Sequence, residues 1–165
     1  MANVFISYAR NDAQFVRDQL LEALRQLGYT VWIDLESIPG SVEWWNLITQ
    51  SIANTSAVIV VLSPNSCASP YVAKELAHAQ SCQRPILPVL LQGCQLPDVL
   101  AWLRQVQWID FTKEQFHSAL GRLDFGLRYV GVAPVPRRPL RRLPLRSLSR
   151  RSFLGTGELI FSISK

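Results

Sequence analysis

Glu75 is the side chain in this sequence best placed to do chemistry. It stands in Ser69-Pro70-Tyr71-Val72-Ala73-Lys74-Glu75-Leu76, with Tyr71 four residues ahead and so on the same helical face. A carboxylate beside an aromatic ring, beneath a polar loop, is the arrangement needed to hold a ribose and to stabilise positive charge developing on it. The other reading is structural, because a Glu near a helix start is favoured by the helix dipole and needs no ligand. His78 and Cys82 fall four apart on the same segment and line one face with Glu75. That spacing is open to a metal, but stable sites draw their ligands from several elements, so no metal is expected. A nucleophile pair of Cys67 with His78 or His117 has nothing in the sequence to fix its geometry.

These residues are positioned by alternating strand-like and helix-like segments. Val4 to Ser7 is a short apolar strand; Asn11 or Asp12 offers an N-cap, and Val16, Leu20, Leu24 and Leu27 follow at helical spacing until Gly28. Thr30 to Ile33 is β-branched and aromatic, and Asp34 to Ser41, with Pro39-Gly40, is a loop. Trp45, Ile48 and Ile52 mark a second helix face. Ala57 to Leu62 is apolar at every residue, as befits a central strand covered on both faces. A loop from Ser63 to Pro70 leads into the Glu75 helix, Tyr71 to Ser81. Strands at Pro85 to Leu91 and Gln105 to Ile109 follow, and Phe116, Leu120, Leu123 and Leu127 mark a last helix. Five strands separated by helices predict an α/β fold, a flavodoxin-like five-stranded parallel sheet in the order 2-1-3-4-5. Its site is expected at the carboxyl ends of the strands, among Ser7 to Asp12, Asp34 to Trp45 and Ser63 to Glu75. Ser7 to Asp12 holds no glycine, which excludes a dinucleotide fingerprint and a Walker loop. Leu62-Ser63 stands where a phospho-receiver needs its acceptor Asp.

The chain has 165 residues, 48% hydrophobic and 18% charged, enough for one domain with its own core and too apolar for disorder. Its three cysteines make no disulfide framework, and the longest apolar runs are strand-sized rather than membrane-spanning. The sequence opens on the strand-like Val4-Phe5-Ile6 rather than a leader, so a reduced, cytoplasmic protein is expected. Residues 1–133 carry nine Lys and Arg against eleven Asp and Glu, whereas residues 134–165 carry seven Arg and one Lys against one Glu. The positive charge thus belongs to a tail, where Pro134, Pro136, Pro139 and Pro144 alternate with paired arginines. The domain is read as 1–133, with 134–165 a Pro/Arg-rich basic linker. No nucleic acid is expected as the domain's partner; the tail itself leaves open an association with a membrane surface or nucleic acid. Ser149-Arg150-Arg151-Ser152-Phe153-Leu154 has the form of a twin-arginine export motif, but Glu158 interrupts the short stretch after it, and a basic linker fits better.

Several segments, in order, carry a resemblance. They are Val4-Phe5-Ile6-Ser7-Tyr8 with Asn11-Asp12, Gly28 to Asp34, Ile38-Pro39-Gly40, Trp44 to Ile48, Ser51-Ile52, Val58 to Ser63, and Ser69, Tyr71 and Glu75-Leu76. Together they resemble a Toll/interleukin receptor (TIR) domain of bacterial type, over roughly three quarters of the chain. The resemblance implies cleavage of NAD+ at the nicotinamide–ribose bond, with Glu75 at the catalytic position and NAD+ a consumed substrate rather than a cofactor. Nicotinamide and ADP-ribose, or a cyclic isomer, would be the products, in the service of bacterial immunity by NAD+ depletion. Phe5, Ser7, Tyr8, Arg10, Trp44 and Tyr71 are the candidate substrate-binding residues; Tyr71 stands where some active members have Trp. For Phe5 and Trp44 core packing is the alternative, and for Arg10 solvation. Ile38, Pro39 and Gly40 stand in the family's assembly loop, which implies self-association through TIR–TIR contacts, with a sensor or effector domain, fused or separate, as a further partner. Other members of the family are non-catalytic, and the alternative is a scaffold for homotypic assembly and signalling.

Overall fold

A computed structural model of the chain describes residues 3–33 and 42–135. The loop residues Ile38, Pro39 and Gly40, and the tail from residue 136 onward with its twin-arginine-like motif, lie outside the described residues. Strand β1 is Val4–Ser7. A 3-10 turn at Arg10–Asp12 leads into α1 (residues 13–26), which loosens to π winding over Val16–Leu21. Then come β2 (Val31–Ile33), α2 (Val42–Ala53), β3 (Ala57–Leu62), the one-turn α3 (Pro64–Cys67) and α4 (Pro70–Ser81). The chain continues through β4 (Ile86–Leu90), a 3-10 segment at Asp98–Gln105, β5 (Ile109–Asp110) and α5 (Phe116–Tyr129).

All strand pairs are parallel, and the sheet order is β2-β1-β3-β4-β5, the order expected from the apolar third strand. Strand side chains alternate between faces, so β3 divides its six buried residues between two cores. Ala57, Ile59 and Val61 meet Val16, Leu20 and Leu24 of α1 and Ala119, Leu123 and Leu127 of α5. Val58, Val60 and Leu62 meet Trp44, Ile48 and Ile52 of α2, Val72, Leu76 and Ala79 of α4, and Leu100 and Leu103 of the 3-10 segment. The result is three layers with helices on both faces of the sheet. Among the described residues no helix is long and apolar enough to cross a membrane.

Three local expectations are corrected. The stretch from Ser63 to Pro70 is not all loop: Ser63 accepts from the Ser66 amide while the Ser66 side chain accepts from the Ser63 amide, and this capping box winds α3. The fifth strand is Ile109–Asp110 rather than 105–109, because Trp108 folds back and its Nε1 donates to the Leu103 carbonyl at 2.7 Å. Neither Asn11 nor Asp12 caps α1 through its side chain; Asp12 is drawn to the neighbouring loop instead.

Gly28 ends α1 with a φ of +98°, a conformation that disfavours any residue with a Cβ. Its amide donates to Arg25 and that of Tyr29 to Leu24, the paired closure of a Schellman turn. A Cβ there would also stand 2.8 Å from the carbonyl oxygen of Val135, whose amide donates to Gly28 at 2.9 Å. The chain just past Ala133 is therefore laid against the domain at this point.

Candidate functional site

Parallel strands deliver the loops that follow them to one edge of the sheet. At that edge the β1–α1 loop, the β3–α4 connection and the first turns of α2 and α4 surround a cleft of about 490 Å³, within the usual range for small-molecule sites. Glu75 lines this cleft and is only 7% exposed. It is placed there by α4, which starts at a defined point: Pro70 pre-sets the first helical turn and Ser69 accepts from the Val72 amide. About one and a half turns later Glu75 meets the end of β1, where the Ser7 hydroxyl donates to its Oε2 at 2.5 Å.

Of β1, Ile6 lines the cleft, and the alternation of the strand decides where its neighbours point. Val4 and Ile6 turn toward α1, so Phe5 and Ser7 turn toward α2 and α4. Ser7 thereby lands behind Glu75. Phe5, one step deeper, is 1% exposed and stacks on Trp32 with ring centroids 4.9 Å apart. It belongs to the core and does not line the cleft, which corrects its place among the binding candidates.

Tyr8, Arg10, Trp44 and Tyr71 all line the cleft. Trp44 does two things: it packs in the core with Ile48 and Ile52, and it meets the ring of Tyr71 edge-on, with centroids 5.3 Å apart. Tyr71 is 41% exposed and forms the rim. An aromatic wall thus stands beside a buried acidic group.

Two further lining residues, Asn11 and Asn65, lie in loops whose importance the topology indicates but whose individual roles no short-range pattern marks. Buried Asp12 accepts from the Ser63 hydroxyl at 2.5 Å and from Asn65 Nδ2 at 2.8 Å, and Asn65 Oδ1 accepts from Asn11 Nδ2 at 3.5 Å. This network ties the β1–α1 loop to the β3–α4 connection. The available signal is Asp12 itself, an acidic residue that the local pattern reads only as a cap.

Other sequence candidates are dispersed. His78 Nε2 lies 3.1 Å from the Thr49 carbonyl and 3.5 Å from Cys82 Sγ, away from the Glu75–Ser7 pair it was set beside. Cys67 Sγ lies 2.9 Å from Cys94 Sγ, and His117 stacks edge-on with Phe116 at the start of α5, so Cys67 is partnered by Cys94 rather than by either histidine. Among the described residues no group of three or more His, Cys, Asp or Glu is arranged to hold a metal.

The site joins an edge-on pair of aromatic rings, a buried carboxyl group tied to a hydroxyl, two asparagine amides and one guanidinium. Such a set accommodates a ligand with a planar ring, hydroxyl groups and negative charge.

The family model described as "TIR domain" matches residues 4–123. Among solved structures, the chain is similar to the TIR domain of the Toll-related receptor TRR-2 from Hydra magnipapillata, at 25% identity and a TM-score of 0.65 over 79% of this chain and 98% of that one. It is similar in fold to the TIR domains of the activated Roq1 resistosome, at 13% identity and a TM-score of 0.62, covering 77% of this chain and 99% of that one. It is likewise similar in fold to the TIR domains of the RPS4 and RRS1 heterodimer, at 19% identity and a TM-score of 0.55, covering 77% and 96%.

Proposed function

The chain belongs to the TIR domain family, and on that premise we propose that its cleft cleaves NAD+ at the bond between nicotinamide and ribose. The observation that carries this reading is Glu75, buried at the cleft, tied to Ser7 and flanked by the rings of Trp44 and Tyr71. Nicotinamide is a ready leaving group: the bonding electron pair passes to its ring nitrogen, which loses its positive charge as it departs. The ribose carbon left behind takes on oxocarbenium character. Glu75 acts by holding the ribose hydroxyls and by setting negative charge against that carbon as its own charge develops. Its low exposure keeps water from weakening the interaction.

The remaining groups divide the rest of the ligand. Tyr71 and Trp44 offer a surface for a planar heterocycle, and Arg10 offers charge to the pyrophosphate. Ser7 orients Glu75 and does not itself meet the ligand. Water then adds to the ribose carbon and loses a proton, giving ADP-ribose; capture by an adenine nitrogen gives the cyclic isomer. NAD+ is consumed, and depletion of the NAD+ pool in bacterial immunity is the role this chemistry serves best.

The test is nicotinamide release followed by chromatography, with purified protein crowded on beads and Glu75→Gln beside it. Release should fall by about 100- to 1,000-fold in the variant, the usual cost of removing a charge that meets a transition state. Full activity in Glu75→Gln would overturn the assignment. A second reading, a non-catalytic assembly module, draws on the RPS4 and RRS1 TIR domains, which pair as a heterodimer. No release from either protein, with concentration-dependent self-association in light scattering, decides for that module.

A further inference from the structure

Cys67 ends α3, the single turn that forms one wall of the cleft; its neighbours Asn65, Ala68 and Ser69 all line that cleft. Cys94 lies 27 positions later, in the connection between β4 and β5. The two sulfur atoms stand 2.9 Å apart, both side chains are partly exposed, and both thiols are free. Each is held where it is by its own surroundings. The capping box of Ser63 and Ser66 fixes the turn before Cys67, and both cysteines pack against the core formed with α2 and α4. The third cysteine, Cys82, lies beyond α4 beside His78 and has neither sulfur within reach.

We propose that Cys67 and Cys94 are an oxidisable pair, closing reversibly into a disulfide that braces the wall of the cleft against the β4–β5 connection. Closure to a bond of about 2.05 Å asks for a shift of less than about 1 Å. With hydrogen peroxide as oxidant the step balances as follows. The Cys94 thiolate attacks one peroxide oxygen, becomes a sulfenic acid and expels hydroxide, which takes up the proton lost by the thiol and leaves as water. The Cys67 sulfur then attacks the Cys94 sulfur, and the sulfenic hydroxyl departs with the Cys67 proton as a second water. Two thiols are oxidised by two electrons, and one peroxide is reduced to two waters. The order of attack has a physical basis: burial, then the Cys94 sulfur beside it, pushes the Cys67 thiol up to about 12, which makes Cys67 a poor first nucleophile. The pairing is independent of what the cleft binds.

The experiment uses the full chain carrying Cys82→Ser, which leaves two thiols of the original three. Trypsin does not cut between Arg84 and Pro85, so Cys67 and Cys94 fall on peptides 26–74 and 75–104, each then with a single cysteine. Titration with hydrogen peroxide should take the reactive thiols per chain from two to none, restored by dithiothreitol. The two peptides should appear joined, with the mass lower by two hydrogens. Adding Cys94→Ser should abolish the joined species. Amide exchange across residues 64–69 should slow on oxidation. Two thiols still free at peroxide levels that oxidise Cys82 in the parent chain, or bridges only between chains, would overturn the pairing. Joined peptides with unchanged exchange would overturn the bracing of the wall.

Discussion

Two hollows in this domain have nearly the same volume, about 490 and 500 Å³, and almost nothing else in common. The first, at the carboxyl ends of the strands, is backed by Ser7, Asp12, Ser63, Ser66 and Glu75, five of the six buried polar or charged side chains among the described residues. The second, at the amino ends, lies between α5 and the starts of β4 and β5, lined by Ile86, Leu87 and Ile109. Phe125 and Tyr129 flank it, 70% and 83% exposed, with stacked rings 6.4 Å apart. Size does not distinguish a site; the cost of its lining does. Each buried hydroxyl or carboxyl must be matched by a partner or it destabilises the fold. The carboxyl pole is dense with such matched groups, whereas the amino pole combines aliphatic packing with contacts nearer the surface, such as the Tyr29 hydroxyl donating to Asp124 at 2.7 Å.

The largest expected effect that sharpens this contrast is at the apolar pole. Leu123 is fully buried between α5 and the sheet, and Leu123→Ala should cost about 3 kcal/mol in urea denaturation. Nicotinamide release per folded molecule should stay unchanged; a parallel loss of turnover would dissolve the separation of the poles. At the carboxyl pole, Asp12→Ala removes the acceptor shared by Ser63 and Asn65 and should cost about 2 kcal/mol in the same measurement. A change near zero would mean that the loop network carries no stability. The smallest effect returns to the amino pole. Gln83 closes α4 with a φ of +54°, where a side chain is strained, and Gln83→Gly should raise stability by up to about 1 kcal/mol, seen as a higher thermal midpoint. Destabilisation would show that the Gln83 side chain outweighs its backbone strain.

What could be read from the amino-acid sequence follows the range of the forces involved. Strand β3 is legible residue by residue, because every position from Ala57 to Leu62 must be apolar to be covered on both faces. The strand order follows from that one segment. Helix α4 is legible through Val72, Leu76 and Ala79, and with it the position of Glu75. Pairings that cross the chain are not. Ser7 and Glu75 are 68 residues apart, Asp12 and Ser63 are 51, and only the folded sheet brings each pair together. Asp12 looks like a cap because its local setting is that of a cap; the nearby donors of Ser63 and Asn65 take precedence in three dimensions. Phe5 looks like a cleft residue because it precedes Ser7, yet the same alternation that aims Ser7 at Glu75 puts Phe5 one layer deeper, against Trp32.

The Asn3 side chain donates to the carbonyl of Ala133, and Val135 is bonded to Gly28. The first and last described segments therefore meet at one spot, the pole opposite the cleft. A unit whose two ends emerge side by side is modular in the sense of a plug: it can be inserted into a host loop, or circularly permuted, with little distortion of either partner.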